Sequence, residues 1–564
     1  MATSERDLSG LKGQQFDIVI VGGGISGAWL ALHCTQQGYS TALIEKYDYA
    51  SQTSSSSSKL LHGGIRYLQQ MQFSKVRESA LERAEYLYAA PHLSTSVPFV
   101  VPTFKDFKRS KFFLNCGMLA YQCLSLGQNG VIGSAEQEIP ASHSISAEQL
   151  TSMIGTSDTA HTGAVVFYER HMLDSERMVL AILQTARRNG AQVHNYVSAV
   201  DFLKDGDTIT GLQVQDELTL ENFEISCKLV INAAGPWVDQ LNSTLPKADD
   251  APSISGYAVG SHIISRQICD YAVALTTEHQ SDAKIDRGGR HVFIIPWRGY
   301  SLIGTSYEEI NSPGQNLNIT TDHVAQLLDA VNKGMPNAKL ERKDLISGYS
   351  GLYPLKTDNI VSTVYQGSGE YQIVDHKQSN NIEGLVTALG AKYTTGRKLS
   401  ELTMRVVNKK LPNSSSNSPT RCKLLGSDYA GLAEFTRAKT AQYQSLLDAK
   451  TIKHLILQYG SELDNFIERI KDNPALLRAI CSHTDDIVGQ VVWAVEQEQA
   501  VSLNDVLFHR TSLGLLGIDR DAIDTVAQSM GELLGWTDDE QQRQMQTVQQ
   551  KLANTRAALD GHRH

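Results

Sequence analysis

The sequence predicts a mixed α/β fold followed by an all-α C-terminal region, on three observations. First, residues 16–45 read as strand, glycine turn, helix and strand. The apolar run Ile18–Val21 is followed by Gly22, Gly24 and Gly27 in G-x-G-x-x-G spacing, and a second strand, Thr41–Ile44, closes on Glu45. Second, segments 193–230 and 252–305 are rich in short β-like runs separated by Gly and Asp turns, as an antiparallel sheet requires. Third, residues 430–558 are glutamine-rich, helical in period and free of chemical motifs.

The glycine turn makes the first part Rossmann-like. Gly22 permits the tight turn, Gly24 lets the backbone approach a pyrophosphate, and Gly27 lets the next helix pack against the strand. The helix opens at Ile25 and Ser26, so its free amides face the phosphates. Glu45, followed by Lys46, is placed to hold a ribose hydroxyl pair. A carboxylate there suits the adenosine ribose of FAD or NAD and argues against NADP.

At 564 residues the chain has room for two or three domains, and 41% hydrophobic with 20% charged residues is ordinary globular composition. The net charge of −10 argues against a nucleic-acid binder. No apolar run reaches the length of a membrane span, and the first fifteen residues lack the apolar core of a secretory signal. Seven scattered cysteines with no C-x-x-C pair fit reduced thiols in a cytoplasmic or cytoplasm-facing protein. No metal-ligand spacing occurs, and the terminal His-Arg-His reads as a polar tail.

Past Glu45 comes Thr53, then five serines (54–58), then Lys59-Leu60-Leu61-His62-Gly63-Gly64-Ile65-Arg66-Tyr67-Leu68. Taken alone, the serine run is a flexible linker. Its position, straight after the second strand and before an amphipathic helix at about 74–89, suits hydroxyls and amides holding a pyrophosphate and a flavin ring. Thr53, Ser54, Ser55, Ser58, Lys59, Leu60, His62, Gly63 and Gly64 are the candidates.

This stretch resembles the signature of FAD-dependent glycerol-3-phosphate dehydrogenases. Further matches follow in order: Ala90-Pro91-His92-Leu93, Asp174–Met178, Leu229–Val238 with its Asn-Ala-Ala-Gly-Pro-Trp turn, Gly260–Ile263, Ile295–Trp297, Ile303–Ser306, Tyr349-Ser350-Gly351, Gly390–Leu399, and Ala494–Glu498 with Asp505–Leu507 and Arg510–Leu515. The resemblance covers roughly residues 16 to 530. It implies FAD as cofactor, expected to be held without a covalent bond. It also implies an interleaved layout. FAD-binding segments at about 16–92, 160–250 and 345–412 alternate with an antiparallel-sheet substrate domain at about 93–159 and 251–344. A linker at 413–429 and a separate helical domain at 430–564 complete the chain. Ala234, Gly235 and Trp237 would then lie at the cofactor, as would Lys392, Tyr393 and Thr394. The helix entered through Gly396 would present a second N-terminus to it.

A flavin enzyme that oxidises a C–H beside oxygen or nitrogen needs a base for the O–H or N–H proton and a cation near the reduced ring. The resemblance places Arg66, Lys392, Thr394 and Thr395 at or near the pocket, with His62 and His262 as further candidates and Tyr67 beside them. His262 suits the base, because neutral imidazole accepts a proton at physiological pH; a hydrogen-bonded histidine within a sheet is the plain alternative. Trp297 reads as packing.

One departure from the family pattern bears on the substrate. After Ser-Gly the family carries Val-Arg-Pro-Leu, whereas this chain has Leu352-Tyr353-Pro354-Leu355. Another family arginine, some fifteen residues on, corresponds to the Ser368-Gly369-Glu370-Tyr371 stretch, and no arginine lies between Arg342 and Arg397. Tyr353 and Glu370 would therefore line the substrate site where phosphate-binding cations are expected, unless Lys356, Lys377 or Arg66 compensates. The sequence thus points to a flavin oxidoreductase with a non-phosphate substrate. A genuine glycerol-3-phosphate dehydrogenase and a non-catalytic flavoprotein subunit are the alternatives. Quinone, another redox carrier or O2 would reoxidise the flavin. Residues 104–113 mix bases with aromatics, which suits either peripheral contact with the inner face of the cytoplasmic membrane or a solvated loop. An oligomer is compatible with all of this.

Overall fold

The computed structural model describes residues 6–154, 161–245, 254, 256–276, 291–314, 317–355, 371–390, 392–411 and 421–562. Its first half is built on β1 (Gln15–Val21), α1 (Ile25–Gln36) and β2 (Thr41–Ile44). Ile18, Val19 and Ile20 are fully buried, which is why this run is apolar on both faces. β1 pairs in parallel with β2 on one side and with Asn222–Asn232 on the other. Gln192–His194 and Leu385–Leu389 extend the parallel sheet at its two ends, and Gln372–Asp375 adds an antiparallel edge.

The second sheet is antiparallel in nearly all its pairings. Tyr257–Arg266 lies between Tyr300–Gly304 and Leu345–Pro354, and Ser94–Phe104 pairs along its length with His161–Met172. Two strands expected in the FAD-binding segments, His161–Met172 and Leu345–Pro354, therefore lie in this sheet.

The expectation of one antiparallel sheet over 193–230 and 252–305 is corrected. Val197–Asp205 and Thr208–Asp216 belong to the first sheet. The reason is the length of Asn222–Asn232. Its buried end (Leu229–Asn232) runs beside β1, while its alternating end (Asn222–Ser226) pairs antiparallel with Gly211–Gln215.

Three helices pack against one another: α2 (Ile65–Gln69), α3 (Phe73–Ala89) and α4 (Lys111–Leu124). The C-terminal region is helical from Leu432 to Asp560. It shares a core with the second sheet: Phe99, Ile264, Trp297 and Leu302 pack in one cluster with Leu503, Phe508, Val526 and Met545. Residues 421–429 are bound to the body of the protein. Leu424 is buried, its amide donates to the Ala89 carbonyl, and the Leu425 amide donates to Thr185 Oγ1. The rest of the expected linker, 413–420, lies outside the described residues.

Candidate active site

The glycine turn is built by close approach. A Cβ on Gly27 would fall 1.8 Å from the Gly22 carbonyl oxygen, and one on Gly22 (φ +111°) would fall 2.6 Å from the Ala233 oxygen. Only glycine lets α1 start this close to the strand ends. Ser54 Oγ accepts from the Ile25 amide at 3.0 Å, and the Ala28 amide bonds the Gly24 carbonyl. The amides of Ser26 and Gly27 have no acceptor within the helix.

Ser26 borders a cavity of about 280 Å³ that is also lined by Gly22, Gly24, Glu45, Lys46, Thr53, Ser54, Ala234, Gly235 and Trp237. The Glu45 carboxylate accepts from the Gly23 amide (2.6 Å) and the Tyr47 amide (2.9 Å). Burial pushes its pKa above the ordinary value, against the pull of those amides. Tyr353, Pro354 and Gly390 complete the wall.

The serine run is a fixed part of the site. Thr53 Oγ1 donates to the Leu352 carbonyl at 2.7 Å, and Ser58 Oγ is 2.9 Å from His262 Nε2. A Cβ on Gly351 would fall 2.5 Å from Ser56 Cβ, so glycine lets the strand reach the loop. Tyr349 stacks on His262 with ring centroids 5.1 Å apart and donates to the Ser57 carbonyl at 2.7 Å. His262 is buried, and its Nδ1 makes no hydrogen bond. Burial, with help from the Lys59 charge, pushes its pKa down to about 3, so the imidazole is neutral at physiological pH.

A second group gathers around α2. Lys392 Nζ stands 3.4 Å from the centroid of the Tyr67 ring, a cation–π contact. Burial and the neighbouring Arg66 charge lower the Lys392 pKa to about 7. His62 accepts from the Gly64 amide through Nδ1 at 3.2 Å; burial and the charges of Lys392, Arg83 and Arg66 hold its pKa near 3. Thr394 is buried and its Oγ1 has no partner.

The sequence candidates thus fall into three sets. One lines the cavity, one surrounds His262 and one surrounds Lys392. Others serve the backbone. Lys59 forms a buried ion pair with Glu176 at 3.0 Å, and Leu60 pairs with His171 in a short strand. Ser55 Oγ donates to the Gln52 carbonyl, and the Gly63 amide donates to Glu169. Tyr393 accepts from Tyr86 through its carbonyl and donates its hydroxyl to the Ser175 carbonyl. Tyr353 stands on the cavity wall. Lys377 bonds Asn381. Glu370 and Lys356 lie outside the described residues.

Ser198, Ala199 and Gln240 line the cavity although no sequence motif marks them. The first two follow Gln192–His194, which runs beside β2, so a third parallel strand recognised in sequence would have placed them.

The cavity fits FAD. It combines a glycine cradle, helix amides without intrahelical acceptors and a carboxylate at the end of β2, and the orphaned Thr394 hydroxyl lies in the neighbouring Lys392 group. The comparisons agree. The family model described as FAD dependent oxidoreductase matches residues 17–396, and that of the C-terminal domain of alpha-glycerophosphate oxidase matches 418–541. The protein is therefore an FAD-dependent oxidoreductase.

It is 30% identical over 554 residues to a glycerol-3-phosphate dehydrogenase of Synechocystis sp., covering 96% of this chain and 97% of that one. It is 28% identical over 553 residues to the aerobic glycerol-3-phosphate dehydrogenase of Staphylococcus haemolyticus, covering 94% and 93%. The solved glycerol-3-phosphate dehydrogenase of Bacillus halodurans, complexed with FAD, superposes with a TM-score of 0.74 at 25% identity, covering 97% of each chain. The chain belongs to the FAD-dependent glycerol-3-phosphate dehydrogenase family.

The lowered Lys392 pKa has a definite sign. The buried ammonium costs stability in full below pH 7, and the cost fades as pH rises from there toward the unfolded value. Lys392→Met should stabilise the flavin-free protein more at pH 6 than at pH 9, by on the order of 2 kcal/mol. Urea unfolding at the two pH values measures this; an equal effect at both would mean that Lys392 titrates normally.

Proposed function

We propose that this flavoenzyme oxidises a C–H beside oxygen or nitrogen in a small molecule that carries no phosphate ester. The observation that supports this reading is Tyr353. It borders the cofactor cavity at the end of Leu345–Pro354, with its ring 6.5 Å from that of Tyr307. The family pattern has an arginine at this position, able to grip phosphate in a bidentate way. A phenol there offers one hydroxyl and no charge. Removing two charge-assisted hydrogen bonds, at about 1.5–3 kcal/mol each, would weaken binding of a phosphate dianion by about two to four decades.

FAD supplies the hydride acceptor when bound. In this reading His262 takes the substrate's O–H or N–H proton, with Ser58 fixing the ring through Nε2 and Nδ1 open. Lys392, held beside Tyr67, gains charge as negative charge builds near it. Tyr353 favours a neutral or cationic substrate. The second reading is a glycerol-3-phosphate dehydrogenase with a rearranged phosphate site. The full-length relatives favour it, as does the retention of two cations, Arg66 and Lys392.

A membrane quinone is the acceptor this reading favours, and α4 supports it. Its buried face is Leu114, Met118 and Tyr121, while Phe112 and Leu119 on the other face are 71% and 62% exposed. Phe107 and Leu126 extend the apolar stripe, and Cys116 and Cys123 lie along it. Lys105, Lys108, Arg109 and Lys111 border it against the single acid Asp106, on a chain of net charge −10. An apolar stripe ringed by bases suits an anionic bilayer surface. No helix among the described residues is long and apolar enough to cross a membrane.

Two measurements check these assignments. Tyr353→Arg should tighten glycerol 3-phosphate binding by about ten- to a hundredfold, read from perturbation of the bound-flavin spectrum. Micromolar affinity in the unaltered enzyme would sink the non-phosphate reading. Phe112→Asp with Leu119→Asp should cut binding to phosphatidylglycerol-containing vesicles by about tenfold or more in a flotation assay. Undiminished flotation would remove the α4 surface from the account.

A further inference from the structure

The segment from Glu498 to Arg510 takes no part in the chemistry above, yet it holds the most heavily bonded buried charge group of the helical region. We propose that Asp48, His509, Arg510 and Gln499 are positioning residues for FAD. Through them the helical region clamps residues 45–50 in the shape that binds the adenosine end of the cofactor.

The contacts run in sequence from the helical region to the glycine turn. Arg510 donates from both terminal nitrogens to the two oxygens of Asp48, at 2.7 and 2.8 Å. His509 Nδ1 is 2.8 Å from the same carboxylate, and Asn195 donates to it at 3.0 Å. Asp48 and Arg510 are both 2% exposed. Burial by itself would push the Asp48 carboxyl up, but the Arg510 charge and the His509 bond outweigh it and hold the carboxyl below the usual range. Arg510 is itself fixed by the Glu498 carbonyl at 2.8 Å, and Glu498 is paired with Arg177.

Asp48 does not itself line the cofactor cavity, but it lies in the segment whose Lys46, Tyr47, Ala50 and Ser51 do. The next residue repeats the arrangement. Tyr49 donates its hydroxyl to Gln499 Oε1, and the Gln499 carbonyl accepts from Asn195. The Tyr49 ring lies against Gly23, where a Cβ would come within 3.0 Å of it. The Ala50 amide donates to the Gly23 carbonyl at 3.1 Å, and the Gly23 amide donates to Glu45. From Arg510 to Glu45 the path runs through hydrogen bonds, the Asp48–Tyr49 peptide and the Tyr49 ring packed on Gly23.

Asp48, Asp505 and His509 also present three ligand atoms close together, a grouping that elsewhere holds a metal. Here the Arg510 guanidinium already engages both Asp48 oxygens, so the cation of the cluster is Arg510. A buried pair of this kind adds little net stability over an apolar replacement, and its value lies in fixing geometry. The inference is independent of which substrate the enzyme oxidises.

The test is FAD binding to full-length flavin-free protein, followed by fluorescence titration, alongside the melting temperature of the same flavin-free samples. Asp48→Asn should raise the FAD dissociation constant at least about tenfold, and Tyr49→Phe, a milder change, about threefold. Asp48→Leu combined with Arg510→Met should recover the melting temperature lost in Asp48→Asn but leave FAD binding weak. Arg510→Lys, which keeps the charge and loses the fork, should fall between the unaltered protein and Arg510→Met. If the group serves only to dock the helical region, melting temperatures will move while the FAD dissociation constant stays put. An unchanged constant in Asp48→Asn overturns the proposal, and Tyr49→Phe decides it in the same way should Asp48→Asn not fold.

Discussion

The rest of the cofactor half depends on the approach of α1 to the end of β1. With 1.8 Å between the Gly22 oxygen and the place where a Cβ of residue 27 would stand, any other residue at 27 would push the helix off the strand. That contact fixes where the helix amides open, and so where a pyrophosphate can lie. It also fixes Gly23, whose amide and carbonyl are both spoken for: the amide by Glu45 and the carbonyl by Ala50. Glu45 and the glycine turn are therefore one rigid object.

Around this object, buried ion pairs hold backbone rather than substrate. Lys59 and Glu176 anchor the strand that leaves the serine run. Arg83 and Glu169 sit beneath Gly63, whose amide Glu169 accepts at 2.9 Å, and this presents His62 and α2. Arg397, at the start of Gly396–Lys410, is paired with Glu82 of α3 at 2.7 Å and ties the Lys392–Thr395 turn to that helix. Each pair costs desolvation and is tolerable because its partner is in place. The candidate catalytic groups have the opposite character. His62 and His262 are held neutral by burial, and Lys392 is held near the edge of losing its charge. Of these, Lys392 changes its charge near neutral pH, while the two imidazoles stay neutral there.

Much of this is legible in the sequence, for identifiable reasons. Gly22, Gly24 and Gly27 carry their spacing on their face, and Glu45 follows from the length of the second strand. The serine run is legible by position and misleading by composition: its hydroxyls bond His262 and the Ile25 amide, and Thr53 just before it bonds the Leu352 carbonyl, where a composition rule reads slack chain. Lys59 adjoins cofactor residues in the chain and so reads as one of them, but a partner 117 positions away claims it. The sheet membership of Val197–Asp205 is hidden because one long strand, Asn222–Asn232, pairs differently at its two ends. Least legible is the bonding of Arg510 to Asp48 across 462 positions, since no local pattern announces a partner at that distance.

In the proposed function the glycine turn, Glu45 and the clamp on residues 45–50 serve the cofactor, while Tyr353, on the wall of the same cavity, bears on what is oxidised. The most direct measurement is anaerobic titration of the FAD-loaded protein with glycerol 3-phosphate, watching the oxidised-flavin absorbance. The account predicts that the flavin stays oxidised through millimolar glycerol 3-phosphate and bleaches with a neutral or amine-bearing alcohol. Stoichiometric bleaching by micromolar glycerol 3-phosphate would contradict it.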